Sequence, residues 1–469
     1  MALTDQIRPD TGPATTGARA RFYSTAWRWH FYAGLYVVPF LIMLAVTGLI
    51  MLYAAVIVGR DGEKITVIPL DTTLAVSAQA EAAQQAVPDG VLVRYMAPRS
   101  DDLAAVFRMD VADQALMVAV DPYRGDVLSV APRRDALYDF VADIHGELLL
   151  GSTGDFLIEI AASLGMVLIA TGLYLWWPRG TRLSQALVPQ LRARGRRWWK
   201  SMHATIGVWS ALLLAVFLVS GLSWAGVWGG KFVQAWSTFP AEKWGAPLSD
   251  LTHADMNHGD ALEVPWALEQ TPMPASGSQA GVEGLAPGMP VTIDSVVAFA
   301  RSIGFDHRFQ LDMPRDETGV WTIARDSMSN DSSDPTSDRT VHIDQYTGRI
   351  LADVRFADYS IYGKGMAVGI AFHEGDMGLW NLVLNTVFCL SVVFLCVSGI
   401  VMWWMRRPAG AWRIVAPPLP RNIPLWRGAM MVGLVLAIVF PLAGLTLVTV
   451  FLIDRVLVAI APAAKARLS

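Results

Sequence analysis

The sequence predicts a mainly α membrane protein. It reads as five transmembrane helices built from a parallel, duplicated helix–module–helix unit, with two small α+β modules on the outer side. Three observations carry this. The 469-residue chain is 53% hydrophobic and 17% charged, below the charged quarter usual for soluble domains. Five apolar runs, at 31–58, 153–177, 204–228, 377–404 and 428–453, are long enough to cross a bilayer. Finally, His30 to Gly48 and His203 to Gly221 are the same 18 residues apart. At about 1.5 Å per residue that is ~27 Å of helix, close to the ~30 Å hydrocarbon thickness.

Taken in order, residues 1–21 form a cytoplasmic tail and 22–58 the first transmembrane helix. This helix is not a cleaved signal peptide, because its apolar stretch is too long and its histidine recurs in an internal span. Residues 59–140 form the first outer module, 141–177 the second helix and 178–200 a cytoplasmic loop. The third helix is 201–229, the second outer module 230–368 and the fourth helix 369–405. A cytoplasmic loop at 406–426, a fifth helix at 427–455 and a tail at 456–469 complete the chain. Tryptophans cluster where the runs end, at Trp27, Trp29, Trp176, Trp177, Trp198, Trp199, Trp403, Trp404 and Trp426, as in an interfacial aromatic belt.

Charge orients the spans. Arg19, Arg21 and Arg28 precede the first. Arg179, Arg182, Arg192, Arg194, Arg196, Arg197 and Lys200 lie between the second and third, with no acid among them. Arg406, Arg407, Arg413, Arg421 and Arg427 follow the fourth. The positive-inside rule puts these segments in the cytoplasm and both modules, with the C-terminus, outside. The net charge of −4 is uninformative because its sign alternates by segment.

Both modules open with a helical pattern, at 72–86 and 293–303. Strand-like pieces follow, at 91–96 and 103–109 in the first and at 308–311 and 320–324 in the second. Each then carries a hairpin with shared punctuation, Asp121-Pro-Tyr123-Arg-Gly125 and Asp344-Gln-Tyr346-Thr-Gly348. Asp favours the turn start and Gly a position with φ > 0. Residues 325–339 and much of 237–290 read as loop. After each module comes another histidine, His145 or His373, then a span ending in Thr171-Gly172 or Ser398-Gly399 and a Trp pair. The two units have the same orientation, so the repeat is parallel.

The Asp-x-Tyr-x-Gly hairpin after a helix resembles a PepSY domain. The histidine-marked helices ending in Thr/Ser-Gly and Trp-Trp resemble PepSY-associated transmembrane helices. The likeness runs from about 22 to 455. This family resembles iron-regulated membrane proteins, including inner-membrane ferric-siderophore reductases with two b-type haems. The resemblance implies a haem-dependent oxidoreductase of the bacterial inner membrane. It would take electrons from a separate cytoplasmic or membrane donor to a periplasmic ferric chelate or siderophore.

Four histidines then carry the site. Depth pairs them, since His30 and His203 lie at the cytoplasmic face and His145 and His373 at the outer face. Each pair would give two axial imidazoles to one haem b, two haems in all. Gly34 and Gly207, one turn after the inner ligands, would clear space for a flat porphyrin, and Gly48 and Gly221 would do so at the outer level. Gly151 and Gly378 follow the outer ligands less regularly. Tyr138, Trp224, Trp228 and Trp380 are candidate outer contacts or belt residues. The remaining His253, His258, His307 and His342 read as surface or turn residues, with His253 and His258 as a weaker metal candidate.

Other chemistries lack signals. Cys389 and Cys396 are the only cysteines, and both lie in an apolar run. No C-x-x-C-H marks covalent haem, and no Cys pattern marks an iron–sulfur cluster. No G-x-G-x-x-G follows a strand and no P-loop appears, so the chain has no nicotinamide or flavin domain of its own. No nucleic-acid partner is indicated. The rival reading is a non-enzymatic membrane regulator, or an accessory subunit for siderophore or iron transport.

The charge asymmetry makes a direct prediction. A reporter fused after Arg194 should be cytoplasmic and one fused after Asp331 should be outside. A reversed pattern would overturn the orientation.

Overall fold

The computed structural model describes residues 14–180, 182–257, 263–408 and 427–460. In chain order the helices and strands are α1 (Ala14–Ile57), α2 (Val76–Ala86), β1 (Val91–Met96), β2 (Ala105–Val111), β3 (Gln114–Val120) and β4 (Val127–Pro132). Then come α3 (Leu137–Glu147), α4 (Ser152–Trp176), α5 (Leu183–Ala186), α6 (Gly195–Leu222), β5 (Leu248–Thr252), β6 (Pro272–Pro274) and α7 (Ile293–Ser302). The chain continues with β7 (Gln310–Asp312), β8 (Val320–Arg325), β9 (Arg339–Asp344), β10 (Ile350–Arg355), α8 (Ile361–Glu374), α9 (Leu379–Arg406), α10 (Arg427–Val439) and α11 (Pro441–Ile460).

Among the described residues four helices are long and apolar enough to cross a membrane: Arg21–Ile57 within α1, α4, α6 and α9. The fifth apolar run differs from the straight helix expected at 427–455. α10 and α11 are bent by 118° at the break before Pro441. Proline has no N–H to continue the ladder, and its ring clashes with the preceding turn. The 13 residues of α10 rise only about 20 Å, short of the ~30 Å core.

The helices expected at 141–177 and 369–405 are each two helices. Leu148, Leu149 and Gly151 take left-handed φ values of 55°, 58° and 56°, and Gly375 and Gly378 take 86° and 89°. The chain therefore turns between α3 and α4 and between α8 and α9. His145 and His373 sit at the ends of α3 and α8, not at the start of the long spans. A straight helical rise of ~40 Å from them to Gly172 and Gly399 does not exist. The irregular spacing of Gly151 and Gly378 has the same cause: those glycines make the turns.

By internal packing the chain forms two compact units. One takes the chain up to Ala45, Leu157–Leu218 and the chain from Leu390 on. The other is Val46–Phe156 with Val219–Cys389. The second unit is built on an eight-stranded sheet of order β10-β9-β8-β7-β1-β2-β3-β4, all pairs antiparallel. Residues 91–132 and 310–355 each supply a four-strand meander, and the two meet where Arg94, Tyr95 and Met96 pair with Asp312, Leu311 and Gln310. Alternation along the strands sends Tyr95, Phe107, Phe309, Leu311 and Val341 into a core closed by α2 and α7.

The opposite face is also buried but polar. Arg94 donates to Asp312 at 2.7 Å and to Gln310 at 2.7 Å, and Arg308 donates to Asp331 at 3.0 Å. Both hairpins close alike. The Asp121 carboxylate accepts from the amides of Tyr123 and Arg124, and the Asp344 carboxylate from those of Tyr346 and Thr347. Gly125 and Gly348 take φ of 76° and 67°, a region where a side chain is strained.

His253 and His342 correct a sequence expectation. They are not surface residues but fully buried on this polar face. His253 Nδ1 donates to the Thr271 carbonyl at 2.8 Å, and the two Nε2 atoms lie 3.0 Å apart. With its Nδ1 protonated, a neutral His253 accepts at Nε2 from His342 Nε2–H. His342 Nδ1 lies 3.0 Å from the Thr322 hydroxyl. His307 is exposed in a turn, and His258 lies outside the described residues.

Burial holds His253 down at about 4, and burial with the His253 neighbour holds His342 well below the usual 6.5. Both rings stay neutral in the fold, so the unfolded chain takes up protons first as pH falls. Stability is full above 6.5 and lost progressively down to about 4, about 3 kcal/mol for His253 alone. Asp338, pushed up to about 8 by burial, acts in the opposite sense. The comparison is therefore with a variant. Thermal unfolding between pH 7.5 and 4.5 should show a smaller acid loss in His253→Asn/His342→Asn than in the parent chain.

Candidate functional site

α1 brings His30 and α6 brings His203 into the first unit, where their ring centroids lie 6.5 Å apart with planes at 87°. In the second unit α3 brings His145 and α8 brings His373, at 6.3 Å and 88°. The structure thus brings together the same two pairs that depth alone selected.

Every one of the four rings is held by a hydroxyl from the residue before a glycine. His30 Nδ1 lies 3.0 Å from Thr171 Oγ1 and His203 Nδ1 lies 2.8 Å from Ser398 Oγ. His145 Nδ1 and His373 Nδ1 each lie 2.8 Å from Thr47 Oγ1 and Ser220 Oγ. The glycine that follows lies under the ring edge. A Cβ at Gly172, Gly221, Gly48 or Gly399 would meet the Cε1 of His30, His373, His145 or His203 at 3.2, 3.4, 3.6 or 3.9 Å. A Thr/Ser-Gly pair on one helix is therefore a notch for a histidine on another.

The notch sets the tautomer. Thr171 Oγ1 donates to the Val167 carbonyl at 2.7 Å and Ser398 Oγ to the Leu395 carbonyl at 3.0 Å. With its proton spent on its own helix, each hydroxyl oxygen accepts from Nδ1–H of the ring. His30 and His203 then keep the Nε2 lone pair free, the state of a metal-binding imidazole.

The spacing suits one ion between two rings. Two metal–nitrogen bonds of about 2.0–2.1 Å plus a ring radius of roughly 1.1 Å on each side put centroids roughly 6.3 Å apart. The His253–His342 pair gives the contrast. Its centroids are 5.0 Å apart, and its Nε2 atoms meet in a direct hydrogen bond that leaves no room for an ion. Among the described residues no group of three or more His, Cys, Asp or Glu could hold a metal. Two imidazoles alone would leave an ion mostly uncoordinated.

The other expected site residues fall as follows. A Cβ on Gly34 or Gly207 would touch only Leu168 or Leu395 side chains, at 3.9 and 3.6 Å. Packing by itself does not demand glycine there. Tyr138 is buried under the Arg60 guanidinium, whose carbon lies 3.9 Å from the ring centroid, and Arg60 pairs with Glu374 at 2.9 Å. Trp228 is buried and Trp380 exposed. Cys389 and Cys396 are free and buried.

Sequence reasoning missed two features. It gave a role to Gly48 and Gly221 but none to Gly172 and Gly399, and none to the hydroxyls, although a hydroxyl stood before the glycine in all four copies. It also missed Asn381 and Asn385, buried on α9. Asn381 and Asn385 donate to the Phe372 carbonyl at 3.0 and 2.8 Å, and Asn385 also to the His373 carbonyl at 3.2 Å. They cap the end of α8 that carries His373.

Residues 27–406 match the family model described as the PepSY-associated TM region. The chain belongs to that family, and with its apolar helices it is a multi-pass membrane protein. No curated protein matches it.

The notch predicts an asymmetry between glycines. Alanine at Gly172 presses on His30 and should cost about 1–3 kcal/mol. Alanine at Gly399 meets an ordinary contact and should be neutral or slightly stabilising, since Ala is the better helix former. Thermal unfolding in detergent checks both.

Proposed function

We propose that this chain moves electrons across the bacterial inner membrane through two bis-histidine b haems, one on His30/His203 and one on His145/His373. The observation that carries the reading is the pair of 6.3–6.5 Å imidazole gaps. Each is sized for an ion with two axial nitrogens, and among the described residues neither gains a third His, Cys, Asp or Glu ligand. Haem b bound in this way supplies a one-electron couple with no open coordination position. The chain's own part is to aim Nε2 of each ring, hold Nδ1–H on a Thr or Ser hydroxyl, and keep glycine beneath the ring edge.

In this reading the arginine-rich loops face the cytoplasm, as does the N-terminus, and the sheet and the C-terminus lie outside. The chain is a duplication. Its two meanders and two hairpins are matched elements, and each half supplies one histidine to each pair. His30 and His203 would hold the haem that faces a separate cytoplasmic or membrane donor. His145 and His373 would hold the one that faces a ferric siderophore or other ferric chelate outside. An inside-negative potential favours outward electron transfer by about 2.3 kcal/mol per 100 mV per electron. Ferrous iron is a poorer partner for hard-oxygen chelators, so reduction releases it.

The experiment is a pyridine haemochrome analysis with reduction spectra of the purified protein. About two haems per chain are expected. His30→Ala and His203→Ala should each abolish or convert one low-spin signal, with little added by the double change because both act on one site. His145→Ala and His373→Ala should do so for the other. Colourless protein would overturn the proposal in favour of a non-enzymatic regulator or accessory transport subunit. If His30→Ala and His145→Ala perturbed the same signal, the pairing would fall.

A further inference from the structure

We infer that the four Thr/Ser-Gly notches hold the two imidazole planes of each pair at right angles, and that Thr47, Thr171, Ser220 and Ser398 are positioning residues setting the electronic state of the bound iron. The inference rests on the bis-histidine haem reading above. It starts from the interplanar angles of 87° and 88° in the two pairs. Two independent sites, on different helices, share the same crossed arrangement.

The notch explains why a ring cannot swivel. Rotation about the axis through Nε2 would carry Nδ1 and Cε1 off the helix they rest on. Nδ1 is fixed by a hydroxyl at 2.8–3.0 Å. Cε1 lies over a glycine, where a Cβ would stand only 3.2–3.9 Å away. One ring edge is thus tied to one helix at Nδ1, with Cε1 seated beside a residue that has no side chain. A further restraint follows from which helix supplies each notch. His30 and His145 rest on Thr171 and Thr47, while His203 and His373 rest on Ser398 and Ser220. Residues 30–171 therefore orient one ring of each pair and residues 203–398 the other, so neither ring can follow its partner towards a parallel arrangement.

Crossed axial planes act on iron differently from parallel ones. Each imidazole interacts with the iron d orbital perpendicular to its own plane. Parallel rings split the two such orbitals, whereas crossed rings leave them nearly degenerate. Near-degeneracy gives a highly anisotropic low-spin ferric signal with one dominant low-field feature, and splitting gives a rhombic three-line signal. The hydroxyl bond also adds basicity to the ligand nitrogen, as partners of metal-bound histidines do.

The test is low-temperature EPR of the oxidised, purified holoprotein, with optical spectra and a redox titration on the same sample. The parent protein should show anisotropic low-spin signals from both haems. Ser398→Ala frees His203 and should turn the inner signal rhombic and shift that midpoint potential, leaving the outer signal unchanged and both haems six-coordinate. Ser220→Ala should do the reverse, and Ser398→Thr, which keeps the hydroxyl, should restore the parent spectrum. A rhombic signal from the parent protein overturns the inference even if no variant folds. So does a Ser→Ala variant whose haem keeps its anisotropic signal. Absent haem, or a high-spin signal in the parent protein, would sink the haem reading itself, a result distinguishable from either.

Discussion

The hydrogen bond between a histidine Nδ1 and a hydroxyl borne on another helix is the interaction on which the rest depends. It joins α1 to α4, α3 to α1, α6 to α9 and α8 to α6. In an apolar surrounding a lone imidazole N–H is costly, and bonds of this kind are worth around 1 kcal/mol between membrane helices. The larger effect is directional. Once Nδ1 is committed, Nε2 is the nitrogen through which a ring can bind a metal. The glycine beside the hydroxyl matters most at Gly172, where a Cβ would press on the ring at 3.2 Å, and least at Gly399, where it would stand 3.9 Å away.

The breaks in the helices serve the same end. Had α3–α4 and α8–α9 been continuous, His145 and His373 would stand far along the spans from Gly172 and Gly399. The left-handed residues at 148–151 and 375–378 turn the chain instead, so that His145 reaches Thr47 and His373 reaches Ser220. Asn381 and Asn385 then satisfy carbonyls that the end of α8 leaves open. Ordered polar side chains in an apolar helix are costly unless paired, and here each has its partner.

The sheet unit shows how two meanders share one core. Pairing through β1 and β7 removes one edge from each and buries Tyr95, Phe107, Phe309 and Leu311 together. Its second buried face is held by ion pairs and by the His253–His342 bond. The contrast between that pair, with rings in direct contact, and the two open pairs is informative. The same residue type, in the same chain, closes up in one place and stands apart in two others. On the sheet hydrogen bonding joins the rings, while between the helices the notches hold them back.

The sequence alone determined the spans, the family, the hairpins and the four histidines. Apolar length fixed α1, α4, α6 and α9, because a bilayer demands about twenty apolar residues wherever they occur. The Asp-x-Tyr-x-Gly hairpins were legible because their bonds run between residues two or three apart. The pairing of histidines followed from charge asymmetry, a property that is linear along the chain. The tertiary structure decided what depends on residues far apart. The break at Pro441, the turns after α3 and α8 and the burial of His253 and His342 are outcomes of packing that periodicity does not encode. Most of all, it decided which hydroxyl meets which ring. Thr171 lies 141 residues from His30, and Ser398 lies 195 from His203. A bond across that separation is set by where helices cross, and no local pattern carries that information.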